Sequence, residues 1–314
     1  IVTESPGRHD VEFSYLTGGL RWEASYNAVA PEKGDSFDII GWVTLENMSG
    51  KDFGDARVKL MAGDVSRIQT DGAAYARKAA SDIAAAPAGT PVTERSFEEY
   101  HLYTLTRPMT LLNRETKQVE FVRASDVPAK RIYVYDGFRM GYPYRGWDSA
   151  SVRNHPEYGT QSNPKVWAML EFRNSEASRL GMPLPKGKVR IFRRDSDGRN
   201  EFVGEDGIDH TAKDETVRLY IGNAFDIVGE RRQTGFRLDT NNHRADESFE
   251  IKVRNHKEEE AEVRVVEHLY RAAEWEVIAK SSDFVKTDAR TIEFRPKVRP
   301  GGEATITYTV HYTW

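Results

Sequence analysis

The chain has 314 residues, more than one ordinary sandwich domain holds and enough for two cores, since domains typically run to about 100–200 residues. Lysine and arginine number 45 against 49 aspartates and glutamates, so the formal charge of −4 offers no basic excess to nucleic acid, and no apolar run approaches the ~20 residues of a membrane-spanning helix. Cysteine is absent, which excludes disulfides, thiolate catalysis and cysteine zinc sites together.

From the N-terminus, alternation of apolar and polar residues with a period of two predicts strands at 20–29, 37–45, 56–61, 100–105, 119–123, 131–135, 166–172 and 189–193. Asn47-Met48-Ser49-Gly50-Lys51-Asp52 and Asp195-Ser196-Asp197-Gly198 have the composition of hairpin or corner turns. Residues 73–86 break the pattern: alanine-rich, with Tyr75, Arg77, Lys78 and Ile83, they predict a short helix or mobile insert near 71–91, closed by Pro87, Gly89 and Pro91. A polar link over 206–214 suggests a boundary near Lys213. Beyond it, strands are predicted at 217–221, 248–254, 263–266, 275–278, 291–294 and 305–314, where Phe249, Ile251 and Val253 share one face against Glu250 and Lys252. The expected fold is therefore all-β: two antiparallel β-sandwich domains, residues 1–213 and 214–314, the second immunoglobulin-like.

Two stretches carry chemistry. Between 136 and 164 runs a long connection in which Phe138, Tyr142, Tyr144, Trp147 and Tyr158 alternate with Arg139, Arg145 and Arg153, while Gly137, Gly141, Gly146 and Pro143 exclude a long regular element. Rings beside arginines suit stacking on a sugar or anchoring a protein partner, which makes Tyr142, Tyr144, Arg145 and Trp147 the candidate ligand-binding residues. The competing reading is that this connection folds back to seal a sandwich face or the domain junction. The second stretch is Glu205-Asp206-Gly207-Ile208-Asp209-His210, where Asp206, Asp209 and His210 would suit a divalent metal ion if Gly207 bent them together, and would equally suit a turn whose Asp side chains accept backbone N–H groups. Asp195-Ser196-Asp197-Gly198-Arg199-Asn200 starts like a calcium loop but lacks its later glutamate, so a hairpin turn is expected there.

The strings Gly18-Gly19-Leu20-Arg21-Trp22-Glu23-Ala24-Ser25-Tyr26, Gly41-Trp42-Val43-Thr44-Leu45, Leu184-Pro185-Lys186-Gly187, Gly204-Glu205-Asp206-Gly207-Ile208-Asp209-His210-Thr211, Gly222-Asn223-Ala224-Phe225-Asp226 and Val253-Arg254-Asn255-His256-Lys257, with the closing residues 308–314, resemble the bacterial family called domain of unknown function 4139. The resemblance covers nearly the whole chain. It implies a β-rich, exported protein of the envelope or extracellular space, and brings no activity, substrate or catalytic residue with it. It also makes the glycosylation triplet at Asn47-Met48-Ser49 incidental.

No phosphate loop, nucleophile elbow or His-Glu-x-x-His pair is present and the eight histidines are scattered singly, which favours a non-catalytic role. The leading expectation is an interaction or structural module, secreted or of the periplasm and cell envelope, with a protein partner or a second copy of itself. Alternatives are a carbohydrate-binding or carbohydrate-processing protein using the aromatic connection, and a metal-dependent hydrolase built on His210. The start at Ile1 carries the further expectation that an upstream segment, including any signal peptide, has been removed.

Overall fold

A computed structural model describes residues 8, 11–34, 36–63, 92–138 and 144–314. The alanine-rich segment at 73–86 and Tyr142 lie outside the described residues. The elements are β1 Leu20–Ala30, β2 Ser36–Asn47, β3 Phe53–Ala56, β4 Lys59–Ala62, β5 Val92–Phe97, β6 Tyr100–Leu105, β7 Met109–Leu111, β8 Thr116–Asp136, the short helix α1 Ser149–Asn154, β9 Lys165–Arg173, β10 Gly187–Arg194, β11 Asn200–Ile208 and β12 Thr216–Asp239. They continue with β13 Arg244–Asn255, β14 Ala261–His268, β15 Glu274–Lys280, β16 Phe284–Asp288, β17 Thr291–Phe294, β18 Lys297–Val298 and β19 Glu303–Thr313.

The fold is all-β, with layered sheets in the manner of a sandwich. One continuous path of strands runs β11-β10-β1-β2-β8-β9-β12-β13-β19-β15, β14 joins it through β8 and carries β17 and β18, and two small sheets, β4-β6-β5 and β3-β7, stand apart. The expectation of antiparallel pairing needs correction at two places among the described residues, because β1–β10 and β8–β14 are parallel.

Long strands replace several predicted short ones. Residues 119–123 and 131–135 both belong to β8, which pairs with β2 over 116–128 and with β9 over 129–134. Pro128 stands at the changeover, where a missing N–H is tolerated because the ladder is changing partner. The bend just before it uses Asp126 at φ 54°, whose N–H donates to Asp38 Oδ1 at 2.9 Å. β12 makes the same exchange, pairing with β9 over its first half and with β13 over its second.

Two apolar cores result. The first gathers Tyr26, Phe37, Ile39, Phe121, Val127, Phe172, Leu184, Val189 and Leu219, and the second Tyr135, Val166, Ile227, Ile251, Val263, Val265, Phe294, Ile306 and Val310. The division does not follow chain position 213. β8 and β9, on the N-terminal side of it, send Tyr133, Tyr135 and Val166 into the second core, while β12 sends Val217 and Leu219 into the first. A chain starting at 214 would leave the second core without those three side chains.

A buried asparagine closes the corner after a core strand in each half. Asn47, at the end of β2, donates from Nδ2 to the carbonyls of Lys51, Leu111 and Leu112 and accepts from Ser49 N–H. Asn255, at the end of β13, donates to the carbonyls of Glu259, Val298 and Arg299 and accepts from Lys257 N–H. Both are fully buried, so each side-chain amide depends on these protein partners in place of water. Asn47 is thereby sealed from any glycosylating enzyme.

Candidate functional site

The site begins with four charged residues placed where an apolar residue is expected. Core-facing alternation runs Val263, Val265, Glu267, Leu269 on β14 and just beyond it, and Glu247 stands in phase with Phe249, Ile251 and Val253 on β13. Arg231 follows Ile227 and Gly229 inward on β12, and Arg271 follows Leu269. Every second residue of a strand faces the same way, so Arg231, Glu247 and Glu267 enter the second core with the apolar set, and Arg271, in the irregular stretch after β14, is buried beside them.

There they pair. Arg231 Nε donates to both oxygens of Glu267 at 2.9 Å, and Tyr308 Oη donates to Glu267 Oε2 at 2.6 Å. Arg271 donates from Nη2 to Glu247 Oε1 at 2.7 Å and from Nε to Oε2 at 3.2 Å. The side chains of Arg231 and Glu267 are 2% and 0% exposed, those of Arg271 and Glu247 1% and 5%, so each charge depends on its partner for solvation. Burial opposes the charge on Arg231, but the Glu267 carboxylate outweighs it and raises the guanidinium further above its usual value. Burial likewise drives the Tyr308 and Tyr312 phenols well above theirs. The Arg231 guanidinium lies 3.9 Å from the Phe249 ring centre and that of Arg271 lies 4.6 Å from Phe236.

The remaining donors of both arginines hold the aromatic connection. Arg271 Nη1 donates to the carbonyls of Val152 (2.7 Å), Arg153 (3.3 Å) and His155 (2.9 Å), and its Nη2 to that of Tyr158 (3.1 Å). Arg231 Nη1 donates to Gly159 O at 2.6 Å, and Gln233 Nε2 bridges Pro156 O and Glu247 Oε1. Gly159 adopts φ 73°, and a Cβ there would meet the Phe138 ring at 2.5 Å, so this close approach requires glycine. An irregular segment thus satisfies its inward carbonyls on two core arginines.

On that support the rings pack. Trp147 lies 5.4 Å from Tyr144, 5.1 Å from His155 and 6.1 Å from Tyr158, and Tyr144 lies 5.1 Å from Tyr158. Tyr144 and Trp147 are half-buried and Arg145 is exposed. Of the four candidate ligand residues, then, Tyr144 and Trp147 come together in a ring cluster and Arg145 points to solvent. α1 follows, its N-terminus capped by Asp148, whose carboxylate accepts from Ser151 N–H at 2.7 Å. That hydrogen bond holds the Asp148 carboxyl below its usual range.

Between α1 and the 269–273 segment lies an open cleft of about 470 Å³, with Trp147, Arg153, Tyr270 and Arg290 on its walls and Arg271 beneath. Arg153 sits 5.8 Å from the Trp314 ring centre. Among the described residues neither Arg153 nor Arg290 has a carboxylate within salt-bridge distance of its guanidinium. Arg153 was visible in the sequence as part of the aromatic connection; Tyr270 and Arg290 were not, because they join it only through the return of β14 and β17.

The metal candidates are placed differently. Asp206 lies inside β11, not in a turn, and divides its oxygens between Gly207 N–H (2.8 Å) and Tyr220 N–H (2.7 Å) of β12. His210 Nδ1 accepts from Lys186 N–H at 3.2 Å, and Asp209, almost wholly exposed, faces Lys186 Nζ at 3.6 Å. Among the described residues no three histidines, aspartates or glutamates stand together in a way that could hold a metal ion. The Asp195 to Gly198 turn is a hairpin, with Gly198 N–H donating to Asp195 O.

One further group has the order of a catalytic relay: Asp136 Oδ2 lies 2.9 Å from His268 Nε2, and His268 Nδ1 lies 3.4 Å from Thr291 Oγ1. Burial disfavours the charged ring, but Asp136 overcomes it and raises the histidine above its ordinary value. The Asp136–His268 contact joins β8 to β14. Comparison with protein-family models finds no match for this chain, and comparison with curated proteins finds none either.

Proposed function

We propose that this chain is a non-catalytic, exported bacterial β-sandwich protein that works as an interaction or structural module of the envelope or extracellular space, with the cleft beside Trp147 as its contact surface. The observation that carries this reading is the construction of the aromatic connection. A segment with little regular structure is fixed to a core by two buried arginines, and the cleft beside it offers rings and two guanidiniums without carboxylate partners, Arg153 of that segment and Arg290 of the β16–β17 turn. Preformed concave surfaces with a few convergent polar groups are where binding concentrates. Export rests on the family resemblance of the sequence.

A photoreactive amino acid at position 149, on the cleft rim, should cross-link to a component of the bacterial envelope, and the same group at position 198, in the β10–β11 turn, should not. Equal yields at the two positions, or none at 149, would contradict the proposal.

A further inference from the structure

We infer that the cleft binds an acidic saccharide, a sugar chain carrying carboxylate groups, through Trp147 and Tyr270 on its apolar ring faces and Arg153 and Arg290 on its carboxylates; this rests on the reading of the cleft as the contact surface. The charge argument comes first. Of the charged groups on the cleft, Arg271 is consumed by Glu247 and four carbonyls, and Asp148 by the N-terminus of α1. Arg153 and Arg290 remain, so the net demand is for negative charge. A guanidinium is a planar fork that matches a carboxylate with two parallel hydrogen bonds, and it is less strongly hydrated than an ammonium.

The rings decide between an acidic sugar and an acidic peptide. Trp147 and Tyr270 are both half-buried, and each packs against a further ring, Trp147 against Tyr158 and Tyr270 against His268 at 5.1 Å in a stacked arrangement. Rigid aromatic faces suit the C–H face of a pyranose ring, whose hydrogens are the positive partner of a π-cloud. A peptide would bind either by extending a strand edge or by laying an apolar helix face in a groove. The backbone nearest the cleft is engaged already, Leu269 N–H donating to Arg290 O at 2.7 Å, and the walls carry arginines where a helix would need apolar residues. The volume of about 470 Å³ suits two or three sugar units lying along an open cleft.

The test uses the whole chain and three probes: trigalacturonate, neutral galactotriose, and a short poly-glutamate peptide, titrated calorimetrically at low and at physiological salt. Trigalacturonate should bind, more weakly as salt rises, and galactotriose should not. Arg153→Ala and Arg290→Ala should each weaken binding by about tenfold or more with an unchanged melting temperature, and Arg290→Lys should restore part of the loss. Binding of the peptide but not the sugar, lost in the same two variants, would overturn the saccharide assignment and leave the cleft as the contact surface. Equal binding of neutral and acidic sugar would overturn the role of the arginines. Sugar binding unaffected by either substitution would place the site elsewhere and overturn both readings, and no binding by trigalacturonate would overturn the inference itself.

Discussion

The two cores share β8, β9 and β12 and solve different problems. Among the described residues the first takes in no charged side chain, and its phenols Tyr26 and Tyr103, buried and raised in pKa by desolvation, donate to the carbonyls of Pro185 and Pro183 at 2.6 and 2.8 Å. The second buries two full ion pairs, Arg231 with Glu267 and Arg271 with Glu247, in a setting equally closed to water. Apolar residues of the same volume would serve stability at least as well. What the charges add is donors, and those donors reach the carbonyls of residues 152–159. The second core therefore supports a surface, and the first supports only itself.

Substitutions that separate these roles should differ most in size. Glu267→Ala strands a buried guanidinium and should cost about 3–5 kcal/mol in denaturant unfolding, whereas Tyr26→Phe in the first core, losing one neutral hydrogen bond, should cost about 1 kcal/mol. The paired change Arg231→Met with Glu267→Leu should recover most of the first loss while loosening Gly159. Equal costs for Glu267→Ala and Tyr26→Phe would erase the contrast. The corner asparagines test the opposite point, that the cores share one device: Asn47→Ala and Asn255→Ala each release three carbonyls, and each should cost about 2–3 kcal/mol by the same unfolding measurement.

The smallest effect is pH-dependent. His268 is raised in the folded protein, against burial, by Asp136, so its contribution is complete below the unfolded value of about 6.5 and fades as pH rises through the folded value. His268→Gln should therefore lower stability by about 1 kcal/mol or less at pH 6 and by a smaller amount at pH 9. A loss that grows with pH would show that the pair is not ionic.

Much of this was legible in the sequence where alternation was strict, as at Phe249, Ile251 and Val253 or along 305–314. The breaks were less legible. The gap between the strands predicted at 119–123 and 131–135 is a bend within β8 at Asp126 and Pro128, because the strand changes neighbours there. Asp206 read as a turn residue, yet its carboxylate serves β12 from within β11. The buried charges left a signal of their own, since Glu247 and Glu267 stand in phase with apolar residues that face inward; position in the pattern, not residue type, gave them away. Arg231 and Arg271 find those partners across 36 and 24 residues of chain, a distance no local pattern spans.

The claim that core arginines build the cleft is tested most directly by hydrogen exchange in the double variant Arg271→Met, Glu247→Leu, which removes both charges and leaves apolar bulk in their place. Amides of residues 149–159 should lose protection by about tenfold or more, while those of residues 20–47 in the first core keep theirs. Unchanged protection at 149–159, or an equal loss in both segments, would contradict the account.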